Sequence, residues 1–151
     1  MEYSTKGTQE TKKIGRELAE RLVEKRKEGA LVLSLEGDLG GGKTTFLQGF
    51  AKGLGIKEKV LSPTFIIVRK FKIPEQGKKQ FNYFFHFDCY RIKEEEEILS
   101  LGFKNYISNP ENIIAVEWGD RIKNVLPKDV IRLKFIFVDK EKRKIIIEDE
   151  Q

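Results

Sequence analysis

Gly37-Asp38-Leu39-Gly40-Gly41-Gly42-Lys43-Thr44 spells Gly-x-x-x-x-Gly-Lys-Thr, a spacing built for a chain of phosphates. Glycines let successive backbone N–H groups turn toward one anion, and a following helix presents the positive end of its dipole. Lys43 adds a full charge, and the Thr44 hydroxyl is a ligand for Mg2+. The pattern follows the apolar run Ala30 to Leu35 and precedes the helix-like Thr45 to Leu54, the strand-loop-helix context that the mechanism requires. A glycine-rich turn of no chemical use is the competing reading. The complete eight-residue pattern in this context favours a nucleoside triphosphate as ligand.

Hydrolysis asks for more than a cradle. A carboxylate must hold Mg2+ directly or through water, and some group must orient the attacking water. Glu117 ends the apolar run Ile113-Ile114-Ala115-Val116, the arrangement of a Walker B element, although an acid there can also cap the next helix. Asp88 lies in His86-Phe87-Asp88-Cys89-Tyr90-Arg91, where alternation puts His86, Asp88 and Tyr90 on one face. Three polar groups on that face predict that it is not core. His86, the single histidine, is open to use as a general base, a phosphate contact or a hydrogen-bonded strut. The strut is favoured, because a lone histidine builds no metal cluster and P-loop hydrolysis needs none. Arg91 either pairs with Asp88 or reaches phosphate. Ser62 and Thr64 flank Pro63, where P-loop proteins often keep a segment that senses the γ-phosphate and where a plain turn is equally compatible.

The elements that must position these residues follow from periodicity. Ile14, Leu18, Leu22 and Val23 recur at three- and four-residue steps, predicting an amphipathic helix over Thr11 to Lys27 with Thr8 or Thr11 as its cap. Ala30 to Leu35 and Ile113 to Val116 read as buried, parallel-type strands. Ile66 to Ile73 and Phe81 to Asp88 read as a hairpin around a turn with Pro74 and Gly77. Glu94 to Leu101 reads as a helix with acids in its first turn, Asp120 to Leu126 as a short helix, and Val130 to Val138 with Arg143 to Ile147 as a closing hairpin. The predicted fold is α/β: a P-loop-type mixed, mainly parallel sheet flanked by helices, with a β-hairpin insertion. Ligands collect at the C-terminal edges of parallel strands, so Glu36, Asp88 and Glu117 become candidates for one shared site.

At 151 residues the chain is expected to form a single domain, residues 1–151, too short for a catalytic domain plus a separate recognition domain. No apolar run approaches the roughly 20 residues of a membrane span, and Met1 to Gln9 lacks the apolar centre of a signal peptide. A cytoplasmic protein without a membrane partner is expected. The single cysteine, Cys89, allows no internal disulfide and is read as a packed residue. A net charge of +5, from 29 basic against 24 acidic residues, permits weak attraction to RNA without demonstrating it.

Four segments then carry a resemblance. Gly-Asp-Leu-Gly-Gly-Gly-Lys-Thr-Thr at 37–45, Ser-Pro-Thr-Phe at 62–65, His-Phe-Asp-Cys-Tyr-Arg at 86–91 and Val-Glu-Trp-Gly-Asp-Arg at 116–121 resemble, in order and spacing, the TsaE (YjeE) family of bacterial ATPases. The likeness runs from Thr8 to Ile147. It implies ATP binding and hydrolysis in the threonylcarbamoyl modification of the adenosine next to the anticodon of tRNA. It also implies docking on TsaB-like and TsaD-like proteins while a TsaC-type enzyme makes the threonylcarbamoyl adenylate, with any tRNA contact indirect or weak. Carried over by motif, the cofactors are ATP and Mg2+, and the catalytic residues are Lys43, Asp88 and Glu117. The resemblance assigns Mg2+ to Thr44 and Glu117, and the nucleotide to Thr8, Thr11, Asp38, Leu39, Gly40, Gly41, Gly42, Lys43, Thr44, Thr45, Trp118 and Arg143. Trp118 is read as a reporter of nucleotide binding or as a packing residue. The chain departs from the family pattern at Gly41 (usually alanine), at Cys89 (usually leucine-like), and at Gly119 and Asp120 (commonly proline and glutamate).

Other readings remain. A small-molecule kinase on the same P-loop would need an acceptor pocket and an arginine-bearing lid, yet Arg69 and Arg91 are the only arginines between the P-loop and Arg121. A GTPase would need an Asn-Lys-x-Asp segment, which is absent. A nucleotide-dependent binding module without useful catalysis looks the same in sequence as a slow ATPase.

Overall fold

The computed structural model describes residues 1–25, 28–37, 42–61, 67–75 and 80–149. In chain order the elements are β1 (Glu2–Lys6), α1 (Gly7–Leu22), β2 (Leu31–Gly37), α2 (Lys43–Gly53), β3 (Val68–Lys72), β4 (Tyr83–Asp88), α3 (Glu95–Leu99), α4 (Phe103–Ser108) and β5 (Asn112–Glu117). A 3-10 helix (Gly119–Val125), β6 (Ile131–Phe137) and β7 (Lys142–Asp149) complete the chain. The strands form one seven-stranded sheet in the order β1-β7-β6-β2-β5-β4-β3. Its centre, β6-β2-β5-β4, is parallel, while β7, β1 and β3 add antiparallel edges.

The unbroken apolar runs are explained by burial on both faces. On one face Leu31, Leu33 and Leu35 of β2 pack with Leu18 and Leu22 of α1 and Phe46, Leu47 and Phe50 of α2. On the other, Ala30 and Val32 join Ile114 and Val116 of β5, Phe87 of β4, Ile98 of α3, Phe103 of α4 and Ile122. The mixed, mainly parallel sheet with flanking helices agrees with expectation, as do both hairpins, with β3 and β4 in register from Val68↔Phe87 to Lys72↔Tyr83. Ile66 and Gly77 lie outside the described residues. No helix among the described residues is long and apolar enough to cross a membrane.

Helices α1 and α2 approach until their backbones touch. A Cβ on Gly49 would lie 2.0 Å from the carbonyl oxygen of Lys12, so only a residue without a side chain permits this crossing. Gly49→Ala is therefore expected to destabilise the fold by about 1–3 kcal/mol, the usual cost of overpacking. That outweighs the roughly 1 kcal/mol which alanine gains over glycine in a helix. A lowered urea midpoint at unchanged slope would record it.

Several boundaries differ from expectation, and α1 ends at Leu22 rather than running to Lys27. Helix α1 starts at Gly7, its N-cap is Lys6, and no side chain caps it. Thr8 and Thr11 both lie inside it. The cause is β1, which forms an edge strand on β7 through to Lys6. Gly7 then turns the chain at φ +80° and donates its N–H to the Glu141 carbonyl at 2.8 Å. The helix expected over Glu94 to Leu101 is shorter, and α4 follows it, because Gly102 at φ +85° takes a left-handed turn that splits the two. The segment after Glu117 is 3-10 rather than α, with Ile122 outside helical geometry at φ −123°.

Candidate functional site

The site lies where three parallel strands run out. β2 ends at Gly37, β5 at Glu117 and β4 at Asp88, with Leu35 in register with Glu117 and Glu117 in register with Asp88. Asp38, Leu39, Gly40 and Gly41 lie outside the described residues, as does the Ser62 to Phe65 segment. The loop reappears at Gly42, which is left-handed at φ +99° and serves as N-cap of α2. Its carbonyl accepts the N–H of Phe46 at 2.8 Å, so the helix is wound directly from the loop.

Lys43 is 6% exposed. Its Nζ donates to the Gly37 carbonyl at 2.7 Å and stands 4.4 Å from the centre of the Trp118 ring. The next side chain meets the acid, for Thr44 Oγ1 lies 3.4 Å from Oε1 and 3.5 Å from Oε2 of Glu117. Glu117 is itself buried. Thr45 is half-buried within α2.

His86 corrects one expectation. Asp88 on the same face is half-buried and Tyr90 exposed, whereas the His86 ring is fully buried. The cost of burying it is met by a hydrogen bond of 2.5 Å between Nε2 and Glu117 Oε2, which is why a polar residue is tolerated there. Its Nδ1 has no hydrogen-bond partner among the described residues. Asp88 is half-buried, and its Oδ1 accepts the N–H of Tyr90 at 2.9 Å, closing the turn that ends β4.

Trp118 follows the acid at φ +60°, the only positive φ outside glycine among the described residues. Left-handed backbone at a bulky side chain is costly and is retained where surroundings enforce it. Here its N–H donates to the Leu35 carbonyl at 2.9 Å. Tyr90 packs 5.1 Å from its ring, Arg121 stands 5.4 Å from it, and Lys43 also lies against it. Gly119 is equally constrained, since a Cβ there would fall 1.9 Å from Ser34 Oγ. Neither Ser34 nor this close approach carried any signal in sequence.

Two distant residues reach the loop. A Cβ on Gly42 would meet Thr11 Cγ2 at 3.6 Å and Arg143 Cγ at 3.9 Å, so both flank the start of α2. Thr11 is buried and shares a 2.8 Å hydrogen bond with the Thr5 hydroxyl. Arg143 donates from Nη1 to the carbonyls of Asp139 at 2.6 Å and Lys142 at 3.0 Å. Thr8 is exposed in the first turn of α1.

The turn that presents Arg143 is held by Asp139, whose Oδ1 accepts the N–H groups of Glu141 and Lys142, each at 2.8 Å. Those bonds hold its carboxyl below the usual range. A lowered native pKa stabilises the fold at neutral pH, and this contribution disappears as the pH falls through the native value. Asp139→Asn is therefore expected to unfold at lower urea than wild type at pH 7, and the gap is expected to close on acidification.

Burial, reinforced by Asp88, pushes the Cys89 thiol up to about 12, which leaves it a packed residue rather than a nucleophile. Burial and then the Asp120 carboxylate raise Glu36. That acid pairs in register with Lys134 of β6, on the β6 side of the strand ends. No group of three or more His, Cys, Asp or Glu able to hold a metal occurs among the described residues. One carboxylate and one hydroxyl suit Mg2+, which keeps several waters and takes phosphate oxygens as ligands.

A mainly parallel sheet, a glycine-rich sequence leading into a helix, and a threonine brought to a strand-end acid beside a buried lysine define a P-loop protein. The sequence model of the family described as threonylcarbamoyl adenosine biosynthesis protein TsaE matches residues 5–145. Over 127 residues the chain is 34% identical to the tRNA threonylcarbamoyladenosine biosynthesis protein TsaE of Haemophilus influenzae, spanning 84% of this chain and 76% of that one. It is 35% identical over 144 residues to the protein of the same name from Rickettsia prowazekii, spanning 95% and 94%. The crystal structure of Bacillus subtilis YdiB superposes with a TM-score of 0.77 at 29% identity, covering 100% of this chain and 86% of that one. The chain belongs to the TsaE family.

Proposed function

We propose that this chain is a Mg2+-dependent ATPase serving tRNA threonylcarbamoyladenosine biosynthesis, the process for which its relatives are named. The observation that carries the reading is the approach of Thr44 Oγ1 to the Glu117 carboxylate at 3.4 Å, beside buried Lys43. The first turn of α2 contains no acid. The positive end of its dipole therefore faces an incoming anion with no acid in that turn to compensate it. Lys43 contributes a positive charge in a site shielded from water, where it acts more strongly than on the surface.

Thr44 and Glu117 are the residues that would hold Mg2+, which when bound neutralises phosphate charge and aligns the transferred group. The His86 hydrogen bond to Oε2 fixes the Glu117 carboxylate. Asp88, at the neighbouring strand end, is the second acid of the site and is assigned to orienting the attacking water. His86→Leu is expected to lower turnover tenfold or more, and His86→Gln to restore part of it, because an amide also donates to a carboxylate. Equal losses in both variants would return His86 to simple packing.

The partners in this reading are TsaB-like and TsaD-like proteins, with the ATPase cycle resetting their complex between turnovers. The test is ATP turnover by the purified chain alone, with those partners, and with candidate acceptor metabolites. Phosphate release that rises with the partners supports the reading. A phosphorylated metabolite would make the chain a kinase instead.

A further inference from the structure

Away from the strand ends, α1 and α2 enclose a hollow of about 270 Å3 lined by Gln9, Lys12, Lys13, Arg16, Gly49 and Lys52. Four of its six lining residues are cations and none is an acid. Gly49 leaves its floor without a side chain because the Lys12 backbone passes too close for a Cβ. The hollow is thus a product of the tight helix crossing.

Its charges are unanswered. Lys12, Lys13 and Lys52 make no ion pair among the described residues, and Arg16 makes one exposed pair, with Glu20 at 3.5 Å. Three lysines elsewhere do have partners: Lys144 meets Glu2 at 2.7 Å, Lys134 meets Glu148 at 3.6 Å and Lys6 meets Glu141 at 4.0 Å. Like charges gathered around a concavity repel one another and focus their field into it, which favours a polyanion over a single small ion.

We infer that the α1–α2 groove binds the phosphodiester backbone of RNA. Cations from both helices around one concavity suit a run of phosphates better than a flat acidic protein face, and Gln9 adds a neutral donor for phosphate or ribose oxygens. Such contacts read charge rather than base identity. The groove is separate from the P-loop: Lys52 lies nine residues beyond Lys43 on the same helix, about 13 Å along its axis. This inference does not depend on the ATPase reading.

The test is the fluorescence anisotropy of a labelled, mixed-sequence single-stranded RNA of 20 nucleotides, titrated with the full chain between 50 and 200 mM salt. Three to four phosphate contacts give a log-log salt slope of about −2 to −3. Lys12→Glu combined with Lys13→Glu and Lys52→Glu is expected to weaken binding more than tenfold and to flatten that slope, while ATP turnover is unchanged. The smaller pair Lys13→Ala with Lys52→Ala should act in the same direction with no risk to the fold. Lys57→Glu with Lys104→Glu and Lys128→Glu makes the same change of net charge elsewhere and should leave most of the affinity. Equal losses in the two triple variants would reduce the effect to net charge and overturn the inference. Competition by poly-glutamate as effective as by RNA would make the ligand an acidic protein. Loss of RNA binding in Lys43→Ala would place the RNA on the P-loop.

Discussion

Lys43→Ala is expected to abolish tight ATP binding. Its ammonium is the buried positive charge of the loop, 2.7 Å from the Gly37 carbonyl. Truncating it removes both a charge that would face phosphate and the contact with the Trp118 ring. Losing one partner of a shielded charged pair costs about 2–4 kcal/mol. At 1.4 kcal/mol per decade, Kd should rise about 30- to 700-fold. Calorimetric titration is the appropriate measurement, because the contact with the single tryptophan would alter a fluorescence baseline. Lys43→Arg should fare little better, since a planar guanidinium does not reproduce the compact point charge of an ammonium. An affinity within threefold of wild type in Lys43→Ala would remove the loop from nucleotide binding altogether.

The second large effect belongs to Glu117→Gln. The amide keeps a partner for His86 and a neighbour for Thr44, so the fold should survive, but the negative charge is gone. Turnover should fall about a hundred- to a thousandfold, the scale seen when one preorganised electrostatic contact is deleted. ATP binding measured with a chelator present should change little. Glu117→Ala is less informative because it also leaves His86 Nε2 buried without an acceptor, at about 1–3 kcal/mol of stability. Wild-type turnover in Glu117→Gln would mean that the carboxylate has no part in the chemistry.

These expectations rest on features of unequal visibility. The P-loop is legible because a cradle of backbone N–H groups needs glycines at fixed offsets. Glu117 is legible because a strand buried on both faces is apolar until it ends, which makes an acid at the end conspicuous. β1 is not legible: Glu2 to Lys6 is an edge strand with Thr5 as its one buried residue, so its alternation is too weak to separate from a polar tail. Without β1 the start of α1 is misplaced and Thr11 reads as a cap. The burial of His86 is hidden for a different reason. Alternation assigns a face, whereas only the parallel neighbour β5 supplies the carboxylate that lets a histidine sit in the core. The nearness of Thr11 and Arg143 to Gly42 depends on contacts between remote parts of the chain, which no local pattern encodes.

The pairing of β1 with β7 also governs when the loop can be completed. Strand β1 precedes the other described elements and its partner β7 follows them, with Glu2 opposite Ile146 and Lys6 opposite Lys142. During vectorial synthesis α1, β2 and α2 can collapse early on local contacts, whereas this edge must wait for β7, a long-range closure that slows folding. Arg143, which flanks Gly42, sits on that last strand. A nascent chain arrested before β7 would therefore carry the P-loop sequence and its helix while lacking Arg143, so full capture of the nucleotide should wait for β7.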